Sequence, residues 1–86
     1  MNADTRTALK AIRAALRTSG VKAEAHTRLG TIPTTKRAIL DLLPTLGEVT
    51  YTSARGGSWT FTDDNEEYDT RVSTNCGTVS IDCGGW

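Results

Sequence analysis

From Glu48 to Cys83, apolar and polar residues alternate in short runs broken by turn residues. That pattern leaves few folds open. Period-two alternation makes strands with one dry face and one wet face. Hairpin-linked strands of this kind form an antiparallel sheet, and its dry face must be covered by another layer. In a chain of 86 residues, that layer has to come from the first half.

The stretch "EVTYTSARGGSWTFT" (48–62) reads as the first hairpin. A two-residue Gly56-Gly57 turn would put Val49 and Tyr51 on the opposite face from Trp59 and Phe61. A three-residue loop, Arg55-Gly56-Gly57, gathers all four on one face, with Gly57 left-handed in a bulge. Burial favours the second register. An acidic turn follows, "TDDNEEYDT", with five acids from Asp63 to Asp69. The last hairpin is "TRVSTNCGTVSIDC" (70–83). A Cys76-Gly77 turn pairs Val72 with Ile81, Thr74 with Val79 and Arg71 with Asp82, joining like with like and opposite charges. A four-residue Thr74–Gly77 loop is the alternative. The other sheet face should be wet and rich in Ser and Thr; seven of the fifteen threonines follow Val49.

The first half supplies the cover. A helix is predicted from about Thr5 to Thr18, with Asp4 as N-cap and Gly20 as stop. At 100° per residue, Thr5, Ala8, Leu9, Ile12, Ala15 and Leu16 share one side. Arg6, Lys10, Arg13 and Arg17 form a separate stripe. "VKAEAHTRL" (21–29) alternates strictly and predicts one strand. "IPTTKRAILDLLPTLGE" (32–48) predicts a second helix capped by Thr34 or Thr35, with Ile39, Leu40, Leu43 and Leu46 inward and Pro44 ending it. The expected fold is therefore α+β, one domain over 1–86. It is a two-layer sandwich, with two helices on one face of a four- to five-stranded, mostly antiparallel sheet, in the order α-β-α-β-β-β-β. The first two strands should be parallel through a right-handed crossover over the second helix.

Composition bounds the rest. Val, Ile, Leu and the aromatics total twenty, enough for one thin core. No run approaches the roughly 20 apolar residues that cross a bilayer, so no membrane partner is expected. The first twenty residues lack the basic-then-apolar order of a secretory signal. The expected location is cytoplasmic, with both cysteines as free thiols.

Net charge is zero, yet it divides sharply. Residues 1–37 carry eight Lys/Arg against Asp4 and Glu24, a net +6; residues 38–86 carry Arg55 and Arg71 against eight acids, a net −6. Such asymmetry is a clue to partners.

Catalytic and metal chemistry find little support. Cys76 falls at the hairpin tip and Cys83 near its base, roughly 20 Å apart at strand rise, whereas a disulfide needs about 4.4–6.8 Å between Cα atoms. Zinc wants four ligands in close pairs. His26 lies on the wet face of its strand with nothing evident to orient it. An EF-hand counted from Asp63 would need Gly and Glu where Tyr68 and Thr74 stand. Neither glycine pair belongs to a phosphate-binding motif, and no cofactor is implied.

The expected function is thus a non-enzymatic binding module, an adaptor or inhibitor of the size and character common among viral, phage and mobile-element accessory proteins. A protein partner would meet the basic residues Arg6, Lys10, Arg13 and Arg17 or the acidic residues Asp63, Asp64, Glu66, Glu67 and Asp69. Nucleic acid could instead follow the basic stripe, or the halves of two copies could pair in self-association. Trp86, after Gly84-Gly85, would either fold back as a lid or stand out as a binding anchor.

Overall fold

The first helix begins earlier than its charges suggest. The computed structural model describes residues 2–27, 29–62 and 69–83, and α1 covers Ala3–Leu16. Its cap is Asn2, not Asp4: Asn2 is extended and its side chain accepts the Thr5 amide at 2.7 Å. Asn and Asp cap equally well. Long-range bonds decide between them, because Asn2 Nδ2 also donates to the Val49 carbonyl at 3.3 Å. The buried face of α1 is the predicted one: Thr5, Ala8, Leu9, Ile12 and Leu16, with Ala15 packed at its margin.

The alternating stretch at 21–29 is not one strand. β1 spans Lys22–Thr27, and β2 spans Gly30–Pro33, folded back antiparallel with Ala25 opposite Ile32. The Thr27 hydroxyl donates to the Gly30 carbonyl, accepts the Leu29 amide and closes the turn. Ile32 and Pro33 therefore belong to an edge strand, where a missing N–H is tolerated, and not to the approach to a helix. α2 is short, Lys36–Leu42, capped by Thr35. A 3-10 turn at Leu43–Thr45 carries Pro44. Ile39 and Leu43 are fully buried, one helical turn apart. Leu40 is exposed, contrary to its predicted inward position; Leu42 packs against the core in its place.

The sheet continues with β3 (Glu48–Thr52), β4 (Ser58–Thr62), β5 (Asp69–Ser73) and β6 (Thr78–Cys83). Its order is β2-β1-β6-β5-β4-β3. The fold is α+β, as expected, but the sheet has six strands, not four to five. β1 runs parallel to β6, and β3 lies at the far edge, antiparallel in direction to β1 rather than parallel. Physical demand explains the order. β6 carries Val79 and Ile81 almost fully buried, which suits an interior strand, while β3 exposes Thr50, Tyr51 and Thr52 and suits an edge. Inner-face residues Ala23, Ala25, Val49, Trp59, Phe61, Val72, Val79 and Ile81 join the buried sides of both helices in one core.

The first meander hairpin follows neither predicted register. Val49 pairs with Phe61, Tyr51 with Thr60, and Thr52 with Trp59, so Thr50 is the extra residue of a bulge. The bulge keeps Val49 inside and turns Tyr51, 63% exposed, to the outer face. Ser53 accepts the Gly56 amide, and its own amide bonds the Ser58 carbonyl, leaving a four-residue loop. The β5–β6 pairing is the predicted one, Val72 with Ile81 and Arg71 with Asp82, although the tip is a 3-10 turn at Asn75–Gly77. Cys76 is in that turn and Cys83 ends β6, at opposite ends of the strand.

Among the described turn glycines of positive φ, Gly57 alone is pressed against a neighbour. Its φ is +82°, and a Cβ there would come within 2.6 Å of Asn75 Oδ1. Asn75 is tied to Ser73 by its own amide, and the Gly57 carbonyl accepts the Thr74 amide at 2.8 Å. Gly56, at φ +74°, faces open space. In thermal melts Gly56→Ala should cost about 1–2 kcal/mol for left-handed backbone alone, and Gly57→Ala distinctly more. Equal losses would show that the Asn75 contact is immaterial.

Candidate functional site

Three cations of α1 and Arg17, its C-cap, lie within a narrow arc, since residues 6, 10, 13 and 17 fall within about 60° of one another at 100° per residue. All four side chains are exposed. The helix is positioned by its apolar face, so the stripe is held on the flank, beside Leu9 rather than opposite the core. Lys36, from the next helix, donates to the Thr18 carbonyl at 3.4 Å. Lys36 therefore lies near the C-terminal end of α1, where Thr18 follows Arg17 in sequence. Arg37 pairs with Asp41 at 3.2 Å, one turn along α2, with both side chains largely in solvent; such pairs add little.

Of the predicted acidic residues, Asp69 opens β5, is exposed, and accepts the Thr62 hydroxyl at 2.9 Å. Asp63, Asp64, Glu66, Glu67 and Trp86 lie outside the described residues, as does Arg28.

The outer face of the sheet holds a feature that the sequence pattern did not disclose. Strand order places His26 opposite Asp82, Asp82 opposite Arg71, Arg71 opposite Thr60, and Thr60 opposite Tyr51. Thr31 completes the row beyond His26, its hydroxyl 3.2 Å from the ring Nδ1. His26 is therefore oriented, by a strand that the alternation alone does not reveal. Two adjoining depressions, of about 490 and 300 Å³, share Arg71 and Asp82 in their walls. Hydroxyl, imidazole and carboxylate follow one another here, as in nucleophilic catalysis. Among the described residues, however, the row lies on an open sheet face, with no water-excluding wall and no cluster of donors for a developing oxyanion. Its two formal charges, Asp82 and Arg71, are opposite in sign and directly across from each other. Among the described residues no three His, Cys, Asp or Glu side chains gather as a metal-ligand set, and no helix is long and apolar enough to cross a membrane.

A second polar cluster joins α1 to β3. The Thr5 hydroxyl accepts the Val49 amide at 2.8 Å and shares its proton between Asn2 Oδ1 and Glu48. The Asn2 amide donates to the same Glu48 carboxylate at 3.0 Å. The Thr5 hydroxyl first, and then that amide, hold the Glu48 pKa below the ordinary glutamate value. This cluster is structural: it fixes the N-terminus of α1, and with it the tilt of the basic stripe, on the sheet edge.

No family model, curated protein or solved structure matches the chain. The functional reading therefore rests on surface geometry and charge.

Proposed function

We propose that the protein is a non-enzymatic binding module, an adaptor or inhibitor, that acts by covering part of a protein partner's surface. The observation that carries this reading is the bounded basic stripe of Arg6, Lys10, Arg13 and Arg17, exposed along one flank of α1. Positive charge does not continue onto the outer sheet face, where Lys22, Glu24, Asp69, Arg71 and Asp82 mix signs. A short stripe on a rigid scaffold complements a bounded acidic patch, and complementary charge brings register and association rate.

The test is capture from a nuclease-treated cell lysate with the tagged protein as bait. The double variants Arg13→Glu/Arg17→Glu and Glu66→Lys/Glu67→Lys are each expected to abolish capture while leaving the far-UV circular dichroism spectrum unchanged. Retention of the same partner by both doubles would show that the surface is wrongly assigned.

A second reading, nucleic-acid binding, has one favourable observation. The four cations extend over roughly 16 Å of helix at 1.5 Å per residue, long enough to follow a phosphate backbone. Four phosphate contacts predict a slope of about −3.6 for log K against log salt on duplex DNA. A slope near zero, or no binding at low salt, removes this reading.

A further inference from the structure

Beside the basic stripe, between α1 and the chain leading into β3, lies a groove of about 230 Å³. One wall is the helix row Thr5, Leu9 and Arg13, and the other is the segment from Leu43 through Pro44, Leu46 and Gly47 to Glu48. Phe61, almost wholly buried, forms part of its lining. The groove is smaller than the roughly 300–1,000 Å³ of small-molecule pockets; its size and apolar lining suit one large side chain. Glu48, the one acid among the described residues of its wall, already accepts the Thr5 hydroxyl and the Asn2 amide. The side that faces a ligand's charges is the Arg13 rim, continuous with the exposed Lys10 and Arg17.

We infer that this groove takes a single aromatic or leucine side chain from an acidic peptide segment of the partner, whose carboxylates then lie along the α1 stripe. The inference rests on the protein-binding reading above and names its ligand. Three features converge on it. The apolar lining desolvates the anchor, as interface hot spots require. The four cations supply complementary charge along one wall only, which fixes the direction in which the acidic residues leave the anchor. The stripe's length matches about five residues of extended peptide at ~3.3 Å each, so one short motif can satisfy both parts. A phosphate backbone would meet the stripe and leave the groove unfilled.

The probe is a fluorescein-labelled nonapeptide, one phenylalanine flanked on each side by four glutamates, followed by fluorescence anisotropy at low salt. Saturable binding is expected, at least about tenfold weaker for the peptide with serine in place of phenylalanine, and at least about tenfold weaker for the Arg13→Glu protein. Leu46→Trp, which fills the groove, should weaken binding similarly. If that variant does not fold, the serine peptide still decides. Equal binding of the phenylalanine and serine peptides overturns the groove as the anchor site, while loss of lysate capture in Arg13→Glu/Arg17→Glu would leave the protein-binding reading standing. Stronger binding of a single-stranded oligonucleotide of equal charge overturns the proposal in favour of nucleic acid. A salt-sensitive dimer in sedimentation, dispersed by Arg13→Glu, overturns it in favour of a second copy of the chain.

Discussion

Phe61→Ala is expected to destabilise the protein by about 3–5 kcal/mol, the range for deleting a buried phenylalanine. Phe61 is 1% exposed and sits in β4 between Val49 and Thr70, facing Leu9 of α1 and Leu43 of the 3-10 turn. It is the largest side chain of the fully buried set among the described residues, and it belongs to the core between the sheet and the helices. A domain of this length has only about 4–13 kcal/mol of stability in total, so the loss is a large fraction of it. At about 4–8 °C per kcal/mol, the melting temperature should fall by at least roughly 12 °C, or cooperative melting should vanish. Tyr51→Ala, on the same hairpin but turned outward by the Thr50 bulge, should change stability by less than about 0.5 kcal/mol. Comparable losses from the two variants would mean that the bulge is absent and that all four apolar hairpin residues share the inner face.

That contrast marks where local pattern stops being informative. The α1 faces, the basic stripe and the Val72–Ile81 register were legible because each depends on residues within one period or one hairpin of each other. The Thr50 bulge was not, since strict alternation puts Tyr51 beside Val49 and only the cost of packing a tyrosine at a sheet edge argues otherwise. β2 was hidden because Ile32-Pro33 precedes a good helix cap, and proline suits both a helix approach and an edge strand. The pairing of β1 with β6 joins residues more than fifty positions apart, and alternation says nothing about which strand a given strand will neighbour. With that pairing unknown, His26, Asp82 and Arg71 could not be placed in one row. The groove beside Arg13 was invisible for the same reason: its two walls come from α1 and from 43–48, and their adjacency is set by tertiary packing.

The seam that holds α1 against β3 carries the other large expected effect. Thr5 is 3% exposed, and its hydroxyl is the acceptor for the Val49 amide. Thr5→Val keeps the shape but leaves that buried N–H without its partner, a loss of about 1–3 kcal/mol. The same substitution removes the leading cause of the lowered Glu48 pKa. A carboxylate whose pKa is lower in the folded state binds its proton more readily when unfolded, so it adds stability above its ordinary pKa and loses it as pH falls through the folded value. The native protein should therefore lose stability on acidification through and below the usual glutamate range, and Glu48→Gln should flatten that limb. Thr5→Val should do both: lower the plateau near neutrality and reduce the acid slope. Denaturant titrations at several pH values separate the two effects. A lower plateau with an unchanged acid slope would mean that the Asn2 amide, not the Thr5 hydroxyl, sets the Glu48 charge. Because this seam also fixes the tilt of α1, Thr5→Val should weaken binding of the acidic peptide under conditions where the protein remains folded, although Thr5 carries no charge.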